Sequence, residues 1–114
     1  MNNVKGLVPG SKSTLCKLLA DLKPILTDVS EAVEVENMFQ EIRSKYKGLD
    51  ILINNVGISG PTLAVEDIDI ESWNETLKVN LDGTFYVTRL ATPMLKERQG
   101  LIINIASTAG LFGC

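Results

Sequence analysis

The chain has no histidine in its 114 residues, and that one absence removes a large share of enzyme chemistry. A Ser-His-Asp triad cannot be assembled within it, nor can most zinc sites. Cysteine is nearly as scarce: Cys16 and Cys114 have no metal-ligand spacing and read as buried or incidental thiols. Basic residues are not in excess, with 11 Lys and Arg against 14 Asp and Glu and a net charge of −3. No cationic face for nucleic acid is therefore expected. No apolar run approaches the roughly 18 residues of a membrane span, and Met1–Gly6 holds no apolar core of a signal peptide. The expectation is a cytoplasmic protein with neither membrane nor nucleic acid as partner. Against these absences stands a hydrophobic fraction of 45%, normal for a globular chain, in a length that allows one domain at most.

The most informative stretch is Asp50-Ile51-Leu52-Ile53-Asn54-Asn55-Val56-Gly57. An apolar run without alternation fits a strand buried on both faces, as a parallel sheet requires. Asn55 and Gly57 then fall at the carboxyl end of that strand, where open α/β sheets place their ligands. Gly57, lacking a Cβ, lets a ligand come close to the backbone. Leu101–Ile105 is a second run of this kind, followed by the small polar cluster Ala106-Ser107-Thr108-Ala109-Gly110. Pro24–Val29 is a third strand candidate. Val4–Val8, closed by Pro9-Gly10, would make a fourth.

Helices alternate with these runs. Ser11 or Ser13 can cap a first helix with Leu15, Leu18, Leu19 and Leu22 on one face, stopped by Pro24. Gly10-Ser11-Lys12-Ser13-Thr14 is not a P-loop, because no glycine immediately precedes Lys12. Ser30 is the expected cap of a second helix, with Glu31 and Glu34 near its positive end. Val35, Met38, Phe39, Ile42 and Tyr46 form its core face, and Lys47-Gly48 closes it. Ile70–Arg98 reads as one long helix, with Trp73, Leu77, Leu81, Phe85, Thr88 and Leu95 at helical intervals and Gly100 ending it. Asn80 interrupts its apolar stripe, and Pro93 should bend its last turns. Strand–helix alternation with short links predicts an α/β fold with right-handed crossovers.

Four separated motifs resemble the short-chain dehydrogenase/reductases, in that family's order and spacing. Asp28-Val29 resembles the acidic residue and hydrophobe that contact the adenine after the third strand. Asn54-Asn55-Val56-Gly57 is similar to the Asn-Asn-Ala-Gly motif after the fourth, with Val56 in place of alanine. Val79-Asn80-Leu81-Asp82-Gly83 resembles the helix segment carrying the active-site asparagine. Ile103-Asn104-Ile105-Ala106-Ser107 resembles the fifth strand with its catalytic serine. The resemblance runs from about Ser11 to the end of the chain.

That resemblance implies a partial Rossmann-type, doubly wound parallel sheet of three strands, or four if Val4–Val8 forms one. It implies a single NAD(P)-binding domain over residues 1–114, family-like from residue 24 and poorly specified over 1–23. It implies Asn80 and Ser107 as catalytic residues, Asn80 holding a water in a proton relay and Ser107 hydrogen-bonding the substrate oxygen. Asp28, Val29, Asn55, Val56, Gly57 and Ile105 would line the cofactor, NAD or NADP, whose nicotinamide carries the hydride. The implied substrate is a small ketone or secondary alcohol, and the implied partner a second copy bound through the 70–98 helix.

Two family features have no counterpart: a convincing glycine-rich turn near the start, and the Tyr-x-x-x-Lys that would fall beyond Cys114. Tyr46 and Tyr86 cannot replace that tyrosine, since neither has a lysine four residues on. An incomplete unit with little activity of its own is expected, with exposed apolar faces and a gap between the third and fourth strands. A truncated, non-catalytic subunit that joins complete subunits, or an incomplete gene model, remains as an alternative.

Overall fold

The computed structural model describes residues 21–112. The expected strand at Val4–Val8, the Gly10–Ser13 turn, most of the first helix, Cys16 and Cys114 lie outside the described residues. The first described helix, α1, spans Ala32–Lys45 and leads to strand β1, Ile51–Asn54. A 3-10 turn at Val65–Asp67 precedes α2, Ile70–Leu77. Lys78–Asp82 then forms a π-helical turn that passes directly into α3, Gly83–Arg98. Strand β2, Leu101–Asn104, and a short helix α4, Ala109–Phe112, complete the order.

The two strands pair in parallel, with Ile51 opposite Leu101 and Asn54 opposite Asn104. The α2–π–α3 path is the crossover that parallel pairing demands. The core lies between the sheet and the α1–α3 layer. Val35 and Phe39 of α1 meet Val87, Ala91, Met94 and Leu95 of α3, with Leu52 and Leu49 packed against them. The expected core face of α1 is thus met by Val35 and Phe39 with Met38 and Ile42 beside them, whereas Tyr46 lies past the helix end and is exposed.

Ser30 does not cap α1. The N-cap is Glu31, with no side-chain bond to the helix, while Ser30 is buried and gives both its backbone N–H and its hydroxyl to Asp28 Oδ1. A serine one residue too early serves the preceding turn instead. The long helix has its expected limits, but Gly100 plays a different part in ending it. Gln99 takes the left-handed conformation, at φ 53°. Gly100 is required by close approach: a Cβ there would sit 2.7 Å from the carbonyl oxygens of Leu49 and Asp50.

The sheet also departs from expectation in two respects. Residues 24–29 run without helix or ladder, so the described residues hold two strands. Nor is β1 buried on both faces: Ile51 and Ile53 are 52% and 57% exposed, and their partners Leu101 and Ile103 are 54% and 38% exposed. No described element covers that side of the sheet.

Candidate active site at the carboxyl ends of the strands

Because β1 and β2 are parallel and in register, the segments after Asn54 and Asn104 leave the same edge of the sheet. Ile105 N donates to Asn54 O at 2.9 Å, which extends the pairing one step into the second of these segments. Beneath them, Asn54 is buried and its Nδ2 donates to Asn104 Oδ1 at 2.9 Å and to Thr88 Oγ1 at 3.0 Å. One amide therefore joins both strands to α3. A buried amide needs such partners, because leaving it unpaired costs on the order of 1–3 kcal/mol. This Asn54–Asn104–Thr88 group was not singled out from the sequence. The signal was present, since both apolar runs end in asparagine at the same strand position.

Asn80 lies in the π turn, where the wider winding breaks the regular repeat, a feature frequent at functional sites. Its side chain pairs reciprocally with one backbone unit: Ile58 N donates to Asn80 Oδ1 at 2.7 Å, and Asn80 Nδ2 donates to Ile58 O at 2.9 Å. The loop after β1 is thereby clamped to the helix, and a Cβ on Gly57 would lie 3.5 Å from Asn80 Oδ1. That is ordinary contact, so nothing in the protein forces glycine at this position. The Asn80 carbonyl accepts from Thr84 Oγ1 at 3.0 Å.

Asn55, Val56 and Gly57 are exposed along this edge, as is Ile105. Ser107 is exposed too, and its Oγ accepts from Ala109 N at 3.1 Å, so its hydroxyl hydrogen is left to donate elsewhere. Asp28 and Val29 lie just before α1. The two bonds from Ser30 hold the Asp28 carboxyl below the usual aspartate range, which keeps it an ionised acceptor. Val29 packs on Gly83, where a Cβ would come within 2.8 Å of Val29 Cγ2. The structure thus brings Gly57, Ile58 and Asn80 together, and separately joins Val29 to the end of the same π turn. No hydrogen bond links Ser107 to Asn80 among the described residues.

A family model described as short chain dehydrogenase matches residues 10–114. The chain belongs to the short-chain dehydrogenase family. It is 45% identical over 85 residues to D-beta-hydroxybutyrate dehydrogenase of Cupriavidus necator, a match covering 74% of this chain and 33% of that one. It is 34% identical over 91 residues to the 3-oxoacyl-(acyl-carrier-protein) reductase FabG of Thermotoga maritima, covering 79% and 37%. Among solved structures, a 3-ketoacyl-ACP reductase from Sinorhizobium meliloti 1021 superposes with a TM-score of 0.73 at 33% identity, over 86% of this chain and 39% of that one. The Rossmann-type α/β class is therefore that of its structural neighbours. The chain spans about a third of the length of these curated relatives. No helix among the described residues is long and apolar enough to cross a membrane.

Proposed function

We propose that this chain forms part of an NAD(P)-dependent oxidoreductase that interconverts a ketone and a secondary alcohol. Residues 24–114 would supply the adenosine side and part of the catalytic edge of a single cofactor-binding domain. The observation that carries this reading is Gly57. It sits at the carboxyl end of a parallel strand, clamped beside Asn80, with no protein atom crowding its missing side chain. A ligand lying against the backbone accounts for glycine there; internal packing does not.

The residues present fit the adenosine half of a dinucleotide. Asp28 offers an ionised acceptor to the exocyclic amine of adenine, Val29 an apolar wall, and Asn55 and Val56 exposed groups beside the ribose. Ile105 would border the nicotinamide side. When bound, the nicotinamide supplies the hydride chemistry. In reduction the carbonyl carbon gains a hydride and its oxygen a proton. Ser107 would hydrogen-bond that oxygen through its free hydroxyl, keeping its own proton, and the Asn80 carbonyl would hold a water, since its side-chain amide is occupied by Ile58. The names of the relatives, which pair hydroxy and oxo groups, support the substrate class. A family-type tyrosine and lysine would have to complete the proton path.

Titration with NADH and NADPH tests the binding half, with the fluorescence of Trp73, the one tryptophan, as readout. Saturable quenching by either nucleotide is expected; no response at millimolar nucleotide, checked by calorimetry, would end the reading. In a protein that carries this chain together with such a tyrosine and lysine, loss of nicotinamide absorbance with a 3-oxo ester tests the chemistry.

One observation favours a second role. Ile70, Trp73, Leu77, Leu81 and Phe85 form an exposed apolar stripe along α2, the π turn and α3. Such a stripe suits association with another copy or with a complete family subunit. A monodisperse monomer in sedimentation at high concentration would rule this out.

A further inference from the structure

We propose that Lys78 is a positioning residue for the adenine-side carboxylate, latching the Asp28–Glu31 turn to the π turn that carries Asn80. The inference rests on the cofactor reading above and adds to it a residue that touches neither adenine nor substrate.

Lys78 opens the π turn, and its Nζ forms an ion pair with Glu31. Glu31 closes the turn that presents Asp28, its backbone N–H donating to Asp28 O at 3.1 Å. Within that turn Ser30 fixes the Asp28 carboxylate through two bonds at 2.9 and 2.7 Å. The chain of contacts therefore runs from Lys78 to Glu31, and through the turn to the acceptor itself. A second tie lies beside it, independent of charge: Gly83, just past the π turn, meets Val29 so closely that a Cβ would fall 3.2 Å from the Val29 carbonyl. Two points thus hold residues 28–31 against residues 78–83.

The charge pattern explains why a lysine is needed. Asp28, Glu31 and Glu34 lie within seven residues, and Glu34 Oε2 is itself turned back to accept from Asp28 N at 2.8 Å. Three carboxylates on so short a segment repel one another, and Lys78 is the cation set against two of them. Without it, Glu31 has less reason to stay against the helix, and the turn presenting Asp28 loses its outer anchor. Asn80 is two residues from Lys78, so the same latch sets the spacing between the adenine side and the Ile58 clamp.

Full-length protein and its K78M, K78R and E31Q variants would be titrated by calorimetry with AMP and, separately, with nicotinamide mononucleotide. Backbone amide exchange would be followed without ligand. K78M and E31Q should each weaken AMP by about threefold, the scale of an exposed ion pair. Nicotinamide mononucleotide should be unaffected, K78R should bind AMP like wild type, and exchange at Asp28, Ser30 and Glu31 should quicken in K78M. Equal AMP affinity in K78M and wild type would overturn the proposal, as would equal loss for both nucleotides. A wild-type chain that binds neither nucleotide would overturn the cofactor reading instead. The latch would then be judged by the exchange rates, and unchanged rates would overturn it.

Discussion

The two faces of the small sheet are built to different standards. On the helix side, Leu52 packs into a core whose Phe39 is only 2% exposed, and Asn54 has both of its Nδ2 bonds filled. On the other side, Ile51, Ile53, Leu101 and Ile103 form an apolar patch with nothing described above it. The side chains are of the same kind, drawn from the same two strands, so sequence character does not separate the faces. What separates them is the crossover: α1 and α3 both lie on one side, while a parallel sheet is stable in water when both sides are covered. One face is a finished core, and the other is a surface that only packing against further chain would make into one.

Breaking the finished face should give the largest effects. Phe39→Ala removes its largest fully buried side chain and should cost about 3–5 kcal/mol, a large part of a small domain's stability. Urea denaturation read by circular dichroism would show a much lower midpoint, and an unchanged midpoint would mean the core is elsewhere. Gly100→Ala comes next, because its Cβ would collide with backbone oxygens that cannot swing aside. A loss of about 2–3 kcal/mol is expected, with faster amide exchange at Leu101, whose N–H donates to Asp50 O. Asn54→Ala removes the two bonds that tie the strands to Thr88 and should cost about 1 kcal/mol. Ile53→Thr, on the open face, should change monomer stability by no more than about 0.5 kcal/mol. It should still lower aggregation and binding of a hydrophobic dye, and a loss as large as that of Asn54→Ala would show that the open face is covered after all.

The same contrast explains how far the sequence could be read. The parallel pair was legible because both strands are unbroken apolar runs ending at asparagine. Asn80 was legible as a break because a polar residue interrupted a regular stripe. The orientation of the helix was not. Counting Trp73, Leu77, Leu81, Phe85 and Leu95 as one face assumes a constant repeat, whereas the π turn at Lys78–Asp82 inserts extra winding. Exposed apolar residues run from Ile70 to Phe85 across that turn, while within α3 the regular repeat puts Val87, Ala91 and Met94, about 100–200° away from Phe85, in the core alongside Leu95. Gly100 and Ser30 show a similar limit: the residue type was informative, but whether it served conformation, contact or capping depended on neighbours distant in sequence. Of the candidate site, the clamp between Asn80 and Ile58 could not have been read, because a side chain pairing with a backbone unit leaves no mark on the backbone partner's identity.

The smallest predicted effect tests whether the crossover helix is anchored locally rather than by the core. Asp69 is the N-cap of α2, accepting from Ser72 N at 2.8 Å and Ser72 Oγ at 2.7 Å. These bonds hold its carboxyl below the ordinary aspartate value. A depressed folded-state value means the unfolded chain binds the proton first as pH falls. The contribution is therefore fully present above the unfolded value of about 3.9 and is lost as pH drops through the lower folded one. Asp69→Asn keeps a capping oxygen but not the charge, so its denaturation midpoint should lie slightly below wild type at neutral pH. The two curves should converge in acid, once the wild-type carboxyl is protonated. Curves that stay parallel down to pH values well below that of an ordinary aspartate would mean the cap charge contributes nothing. The α2 stripe would then owe its placement to the covered face alone.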